Sequence, residues 1–443
     1  MLLAAALGTW LSSPGRAGAQ PSSECRIDSV PGPLRCHTVP VRERMGDSAS
    51  RLIGLRVVVL PARGSASAKP PLVLLQGGPG VAGIPMARRF AASGLLREGR
   101  DVIVLDQRGT GESNRLSCEA LGRKFFFGAL LPKDHVSACR QRLAAHADLR
   151  QYHSTASAHD IEAIRRALGY ERLDVWGFSF GSRVAMAYAR EYPGRVRALI
   201  LDGVVPFDAG LVADHAQSLQ RSIDDVVARC ARDARCRAAF PDPAGTLRRV
   251  VARLDRAPAI VRLTDPAGAT RAFSVGRWEL AYAVRGMLYG ARAAALPAML
   301  HRADSSGDLS AFARLYAERS AWPGDATGLA PHLGAYCAED LPFVDTAAVA
   351  RRTRGTLIGS LYHEQYRAGC DAWPMPRVPA RSRTPLRSDV PALLISGERD
   401  PVTPPAYGER VARSLPRARH VVVPGGGHAE QSPCKTSVVA AFL

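Results

Sequence analysis

Short apolar runs that alternate with helical segments are the feature that most restricts how this chain can fold. Runs that are apolar throughout and separated by helices indicate a parallel sheet covered by helices on both faces. One such helix carries Ile161, Ile164 and Leu168 on its apolar face and ends at Gly169, and another is predicted from Ser182 to Tyr192. The predicted strands are Leu52–Leu60, Leu72–Leu75, Asp101–Asp106, Leu173–Trp176, Ala198–Leu201, Ala392–Ser396 and His420–Val423. The sequence therefore predicts an α/β fold.

The strand pattern is interrupted by a long segment dominated by amphipathic helices. From about Asp208 to Arg387 helices are predicted at Ala213–Ala231, Trp278–Tyr289 and Leu309–Arg319, for example. We expect a mainly helical cap inserted into the sheet domain. The predicted division is a leader peptide at 1–19, a first part of the core at 20–208, the cap at 209–387 and a second part of the core at 388–443.

The candidate chemistry begins at the sequence Gly177-Phe178-Ser179-Phe180-Gly181. This GxSxG motif follows a predicted strand and precedes a predicted helix, which is the context of a nucleophile elbow. A tight turn there needs small residues beside the serine and raises the serine hydroxyl above the sheet. Ser179 is therefore the predicted nucleophile, although a glycine-rich turn alone would have the same pattern.

A nucleophilic serine needs a histidine base and a carboxylate that orients it, in the chain order Ser, acid, His. Asp400 and His428 fit this order, because each lies just after one of the last two predicted strands. Asp202 and Glu398 are competing acids. Asp400 is favoured, since its loop occupies the position expected for the acid.

An oxyanion hole is predicted from backbone amides. Gln76-Gly77-Gly78-Pro79-Gly80 follows a strand upstream of the nucleophile, and glycines permit close approach to a substrate. The predicted donors are the N–H groups of Gly78 and Phe180. We interpret the sequence from Asp106 to Ser113 as a structural loop beside the site.

Charge and composition exclude several partners. The chain has 59 basic and 40 acidic residues, and only four of the basic residues are lysines, which leaves 55 arginines. These are scattered rather than clustered beside aromatic residues, so no nucleic-acid partner is expected. No apolar run after the first dozen residues is long enough to span a membrane. Since CxxC and HxxxH spacings are absent, neither a metal nor a cofactor is predicted.

The N-terminus and the cysteines both predict export to the periplasm or the exterior. Leu2–Leu11 is a short apolar stretch followed by the small-residue pattern Ala17-Gly18-Ala19, typical of a signal peptide, although no basic residue precedes it. Nine cysteines suggest a disulfide framework. Neighbour pairing is one of many possible connectivities, and Cys434 is either left over or displaces a member of the last pair. The neighbour pairs are Cys25 with Cys36, Cys118 with Cys139, Cys230 with Cys236, and Cys337 with Cys370.

From Cys36 to its C-terminus the chain resembles secreted α/β-hydrolase serine peptidases of the proline iminopeptidase and tripeptidyl aminopeptidase type. Its C-terminal region resembles that of the tripeptidyl aminopeptidases. The resemblance implies the α/β-hydrolase fold and release of residues or short peptides from a free N-terminus. Gln76 stands where proline iminopeptidases commonly have His, which argues against strict proline specificity. The motifs that carry the resemblance are Gly77–Gly80, Asp106–Gly111, Gly177–Gly181, Leu201–Val204, Tyr336–Asp340, Cys370 with Trp373, and the loops that hold Asp400 and His428.

Three functions follow as hypotheses. In an aminopeptidase a buried carboxylate would hold the substrate ammonium, and Glu339 and Asp340 in the cap are the candidates. A carboxylesterase or lactone hydrolase would use the same triad, because fold and triad do not determine the acyl substrate. A non-catalytic binding protein is disfavoured, because Ser179, Asp400 and His428 are all present.

Overall fold

The computed structural model describes residues 23–28, 30–64, 69–118, 131–264, 268–321 and 328–443. The predicted leader peptide at 1–19 lies outside the described residues. The strands are β1 Ser23–Cys25, β2 Leu34–Arg42, β3 Leu52–Leu60, β4 Leu72–Leu75, β5 Val102–Leu105, β6 Leu173–Phe178, β7 Val196–Asp202, β8 Ala259–Thr264, β9 Thr270–Val275, β10 Ala392–Gly397 and β11 Ala418–Val423.

The main sheet has the strand order β1-β2-β3-β5-β4-β6-β7-β10-β11 among the described residues. In this order, each neighbouring pair along β5-β4-β6-β7-β10-β11 is parallel. The pairs that involve β1, β2 and β3 are antiparallel. The predicted α/β fold with a mostly parallel sheet is therefore confirmed. The two N-terminal antiparallel strands β1 and β2 were not predicted.

Side chains of alternating strand residues pack into separate cores on the two faces of the sheet. Val73 and Leu75 contribute to one core, whereas Leu72 and Leu74 contribute to the other. This two-sided burial explains why the central strands are apolar throughout. The helices of the sheet domain are Met86–Ala91, Gly94–Arg97, Lys133–Ala144, Ser154–Ala167, Phe180–Glu191, Pro405–Ala412 and Pro433–Phe442.

Between β7 and β10 the chain is mainly helical, as predicted, with an additional two-stranded hairpin of β8 and β9. Its helices share a third apolar core that includes Leu219, Leu280 and Phe312. The helices of this segment are Leu211–Arg232, Ala234–Ala239, Pro243–Arg256, Arg277–Leu288, Leu296–Ser305, Ser310–Ala321, Leu329–Ala335, Thr346–Arg352 and Leu361–Ala372, with a π-helical turn at Tyr336–Asp340.

The structure forms four disulfides, and they join the four neighbour pairs predicted from the sequence, from Cys25–Cys36 to Cys337–Cys370. Cys434 is exposed and forms no disulfide. Within the described ranges, no helix has both the length and the apolar character needed to cross a membrane.

Candidate active site

Ser179 occupies a sharp turn between β6 and helix Phe180–Glu191. Its φ of 53° lies in a region that non-glycine residues rarely adopt, as a nucleophile elbow requires. A Cβ added to Gly177 would lie 2.3 Å from the Gly181 carbonyl oxygen, and one added to Gly181 would lie 2.1 Å from that of Leu75. The two glycines of the motif are therefore required because backbone segments pass directly beside them.

Ser179, His428 and Asp400 form one continuous chain of hydrogen bonds. His428 Nε2 lies 3.0 Å from Ser179 Oγ, and His428 Nδ1 lies 2.7 Å from Asp400 Oδ2. Asp400 and His428 come from the loops that follow β10 and β11, so the parallel sheet brings their side chains to the same edge as Ser179. This arrangement has the connectivity of a serine hydrolase triad.

The Asp400 carboxylate is fully buried and held on both oxygens. Oδ1 accepts hydrogen bonds from the backbone N–H groups of Val402 and Thr403, each at 2.8 Å, and Oδ2 accepts one from Thr403 Oγ1 at 2.7 Å. Burial alone would raise the pKa of Asp400, but the nearby His428 and these hydrogen bonds lower it below its ordinary value. The carboxylate therefore stays ionised at neutral pH and faces His428 Nδ1.

The two competing acids have other partners. Both carboxylate oxygens of Asp202 lie 3.0 Å from Lys435 Nζ, and its backbone carbonyl accepts a hydrogen bond from the Ser179 N–H. Burial raises the pKa of Asp202. Glu398 accepts hydrogen bonds from the Gly425 N–H and from Arg229. Neither side chain contacts His428.

Gly77 and Gly78 lie directly beside the nucleophile turn. A Cβ added to Gly77 would lie 2.7 Å from Ser179 Cβ and 3.2 Å from the Phe180 nitrogen. Gly78 has a φ of 116°, which glycine adopts readily. Within the described chain, the backbone N–H groups of Gly78 and Phe180 donate no hydrogen bond. Gly78 lines the same cavity as Ser179, and Phe180 follows Ser179 directly, so these two N–H groups stay the predicted oxyanion donors.

The loop predicted to be structural is held by buried polar contacts. Asp106 accepts hydrogen bonds from the backbone N–H groups of Ile84 and Glu112, each at 2.9 Å. Arg108 donates two hydrogen bonds to Asp160, each at 2.6 Å. These contacts fix the loop that runs beside the Gly77–Gly80 segment.

A cavity of about 280 Å³ opens onto Ser179 and His428 beneath the cap. Five tyrosines form much of its wall, and Arg89 and Arg285 are the charged residues among its described lining residues. None of the described lining residues is Asp or Glu. The tyrosines are Tyr282, Tyr289, Tyr336, Tyr362 and Tyr366. Sequence reasoning did not identify this wall, because its members come from separate helices of the cap.

His332 connects the cap to the glycine-rich loop. Its Nδ1 lies 2.9 Å from the Pro79 carbonyl oxygen, and its Nε2 lies 2.9 Å from the Tyr366 hydroxyl. Burial lowers the pKa of His332 to about 4, so the ring is neutral at pH 7. The carbonyl can only accept, so Nδ1 carries the proton and Nε2 accepts from Tyr366. This residue also was not predicted.

The structure does not bring Glu339 or Asp340 to the cavity, which corrects their assignment as ligands of a substrate ammonium. Glu339 accepts hydrogen bonds from the Ser154 N–H at 2.6 Å and from the Ser154 hydroxyl at 2.9 Å. Asp340 accepts from the Leu211 and Val212 N–H groups, and burial raises its pKa to about 6. Both carboxylates are buried and already bonded, and neither is among the lining residues.

Potential metal ligands do not cluster in the described part of the chain. There, no group of three or more His, Cys, Asp or Glu side chains is arranged to hold a metal ion. The polar side chains that line the cavity are those of Ser179 and His428, the five tyrosines, Arg89, Arg285, His332, Gln76 and Gln365.

The chain belongs to the α/β-hydrolase family. The family described as alpha/beta hydrolase fold matches residues 70–431, which include Ser179, Asp400 and His428. This match spans the chain from β4 to β11, including the mainly helical segment between β7 and β10. Together with the fold, it identifies the chain as a hydrolase of this family.

Three relatives indicate the range of proteins that are similar to this chain. The serine protease Hip1 of Mycobacterium tuberculosis is 26% identical over 462 residues, covering 94% of this chain and 86% of Hip1. The putative hydrolase YuaR of Escherichia coli is 29% identical over 50% of this chain and 45% of its own length. A probable proline iminopeptidase of Streptomyces coelicolor is 33% identical over 30% of this chain and 32% of its own length.

Proposed function

We propose that this protein is an exported serine peptidase that cleaves short peptides through an acyl-enzyme on Ser179. The observation that carries the proposal is the hydrogen-bonded chain from Ser179 through His428 to Asp400, which faces the cavity beneath the cap. The names of two relatives, a serine protease and a proline iminopeptidase, support peptides as the substrate class. Four disulfides support export, because such bonds persist in oxidising compartments.

The geometry supports a two-step mechanism. His428 Nε2 accepts the Ser179 proton as Oγ attacks the substrate carbonyl, and Asp400 stabilises the imidazolium that forms. The N–H groups of Gly78 and Phe180 donate to the oxyanion. Collapse of the tetrahedral intermediate breaks the C–N bond, and the leaving amine takes the proton from His428. Water then attacks the acyl-enzyme by the same route, releasing the acid and regenerating Ser179.

Release of residues from a free N-terminus remains a hypothesis from the resemblance. It requires a partner for the substrate ammonium, and the described cavity wall contains two arginines but no carboxylate. The same observation favours a second candidate function, the hydrolysis of carboxylic esters, which needs no ammonium site.

A substrate panel tests the proposal and separates the two functions. The panel contains aminoacyl p-nitroanilides with free and with acetylated amino groups, and p-nitrophenyl esters. We expect the wild type to hydrolyse anilides and to take one fluorophosphonate label per chain on Ser179. Ester hydrolysis without any anilide hydrolysis would establish the second function instead.

Two serine variants provide the matched comparison. Ser179→Ala should lower kcat by at least about a thousandfold and abolish labelling, because triad members act as a unit. Ser305→Ala, which changes an exposed cap serine, should leave both unchanged. Labelling that persists in Ser179→Ala would overturn the assignment of the nucleophile.

A further inference from the structure

The charge of the cavity is unusual for a site expected to receive a peptide ammonium. Its described lining residues include two arginines and no Asp or Glu. Arg89 is exposed, whereas Arg285 is half-buried on the cap helix Arg277–Leu288. The cavity that contains Ser179 therefore presents positive charge against an aromatic wall.

Arg285 is held by aromatic rings and not by an anion. Its guanidinium carbon lies 5.6 Å from the ring centroid of Tyr282 and 5.4 Å from that of Tyr289. Its Nε is buried and has no hydrogen-bond partner in the described chain. No carboxylate of the described chain forms an ion pair with Arg285. Cation–π contacts position the guanidinium, but they do not neutralise its charge.

Two buried arginines of the described chain contrast with Arg285, because each is paired with a carboxylate, whereas a third, Arg97, donates to the carbonyl oxygens of Pro61 and Ala91. Arg108 donates to both oxygens of Asp160 at 2.6 Å, and Arg100 lies 2.5 Å from Asp174. A guanidinium cannot lose its proton in a protein, so burial without an anionic partner is costly. An anion that enters the cavity would supply the partner that Arg285 lacks.

The two histidines near Arg285 add no charge to its surroundings. Burial, with a contribution from the Arg285 charge, lowers the pKa of both His215 and His332, so these rings are neutral at pH 7. Neither ring provides a negative charge. Among the described residues that line the cavity, the charged side chains are thus those of Arg89 and Arg285.

We propose that the substrate carries a carboxylate and that Arg285 binds it within the cavity while Ser179 attacks the neighbouring acyl group. Arginine is suited to this role because its planar fork donates two parallel hydrogen bonds to a carboxylate. Arg89, at the exposed part of the wall, adds positive charge that attracts an anionic substrate. This inference rests on the proposed hydrolase function and specifies the substrate class.

Substrate pairs that differ only in charge test the proposal, and two series distinguish where the carboxylate lies. For the acyl side, N-acetyl-Glu p-nitroanilide is compared with N-acetyl-Gln p-nitroanilide, and the p-nitrophenyl monoester of glutaric acid with that of glutaramic acid. For the leaving group, N-acetyl-Ala-Ala is compared with its C-terminal amide. We expect wild-type kcat/KM to favour the anionic member of at least one series by about ten- to a hundredfold, the range for a hydrogen bond to a charged group.

Three variants test whether Arg285 is responsible for the preference for the anionic substrate. Arg285→Met should bring the anionic-to-neutral ratio of kcat/KM close to one, and Arg285→Lys should retain part of it. Arg302→Gln, an exposed arginine on the cap helix Leu296–Ser305, should keep the wild-type ratio. If Arg285→Met does not fold, the wild-type ratio and Arg285→Lys still decide the question.

The outcomes separate this inference from the proposed function. Turnover with equal rates within every pair, or a wild-type preference for the neutral member, overturns the carboxylate site and leaves the hydrolase intact. A ratio that survives in Arg285→Met also overturns it. Absence of turnover on all pairs, together with absence of fluorophosphonate labelling, refutes the hydrolase function itself.

Discussion

Replacement of Asp400 by Asn should invert the hydrogen-bond chain of the triad. Oδ1 accepts two backbone N–H groups, from Val402 and Thr403, so the amide oxygen of Asn must take that position. The amide NH₂ then faces His428 Nδ1, which has to accept a hydrogen bond instead of donating one. The proton moves to Nε2, and this nitrogen can no longer accept the proton of Ser179.

The size of the effect follows from the contacts that are lost. Restoring the productive tautomer would place two N–H donors against each other, which costs about 1–3 kcal/mol for each unsatisfied group. The charge-assisted bond to the imidazolium, worth about 1.5–3 kcal/mol, is lost as well. A penalty of about 4–5 kcal/mol lies within this range, and it corresponds to a loss of roughly 10³- to 10⁴-fold in kcat.

Steady-state kinetics on the best p-nitroanilide or ester, with the fluorophosphonate labelling rate as an independent measure, would test this expectation. The melting temperature checks that the variant folds. Glu398→Gln is the matched control, because Glu398 lies in the same loop but bonds Gly425 and Arg229 instead of His428. Near-wild-type kcat in Asp400→Asn would refute the assignment of the acid, above all if Asp202→Asn lost activity instead.

Three further predictions follow from the disulfides and from the buried His332. Alkylation of the native, unreduced protein should modify Cys434 alone, as mass spectrometry would show; modification of further cysteines would contradict the pairing. Removing Cys337–Cys370, which spans 33 residues, should lower the unfolding free energy in urea by about 3–4 kcal/mol, against about 2 for Cys230–Cys236, which spans six. Because the pKa of His332 is about 4 when folded and 6.5 ordinarily, the unfolded state binds more protons between these values, and stability should fall by up to about 3 kcal/mol as the pH drops through that window. His332→Gln should remove this part of the pH dependence in urea unfolding; an unchanged profile would contradict it.

The central sheet was predictable because its signal is local. The strands β4–β7 and β10 are apolar at successive positions, since both faces of the sheet are covered. Strand β2 lacks this signal because it carries Pro40 and alternates with polar residues. The hairpin strands β8 and β9 are short and largely exposed, and the apolar residues of β8 do not stand out from those of the helices around it. Their pairing depends on contacts between the two strands, which the sequence of either strand alone does not reveal.

The order of the candidate catalytic residues along the chain was also informative, because each follows the carboxyl end of a parallel strand and the sheet aligns those ends. The prediction for Glu339 and Asp340 had no such basis. Position beside Cys337 does not determine which side of the turn faces the cavity, and the structure directs both carboxylates to buried amides and hydroxyls instead.

Arg285, in contrast, could not be identified from the sequence. In a chain with 55 arginines, the residue type alone distinguishes no single position, and the helix Arg277–Leu288 has an ordinary amphipathic pattern. Arg100 and Arg108 have carboxylate partners supplied by the fold, whereas Arg285 faces tyrosines and the cavity of Ser179. Because a guanidinium without an anionic partner is costly even when it is half-buried, the position of Arg285 in the cavity of Ser179 supports the proposed anionic substrate over a contribution to the stability of the cap.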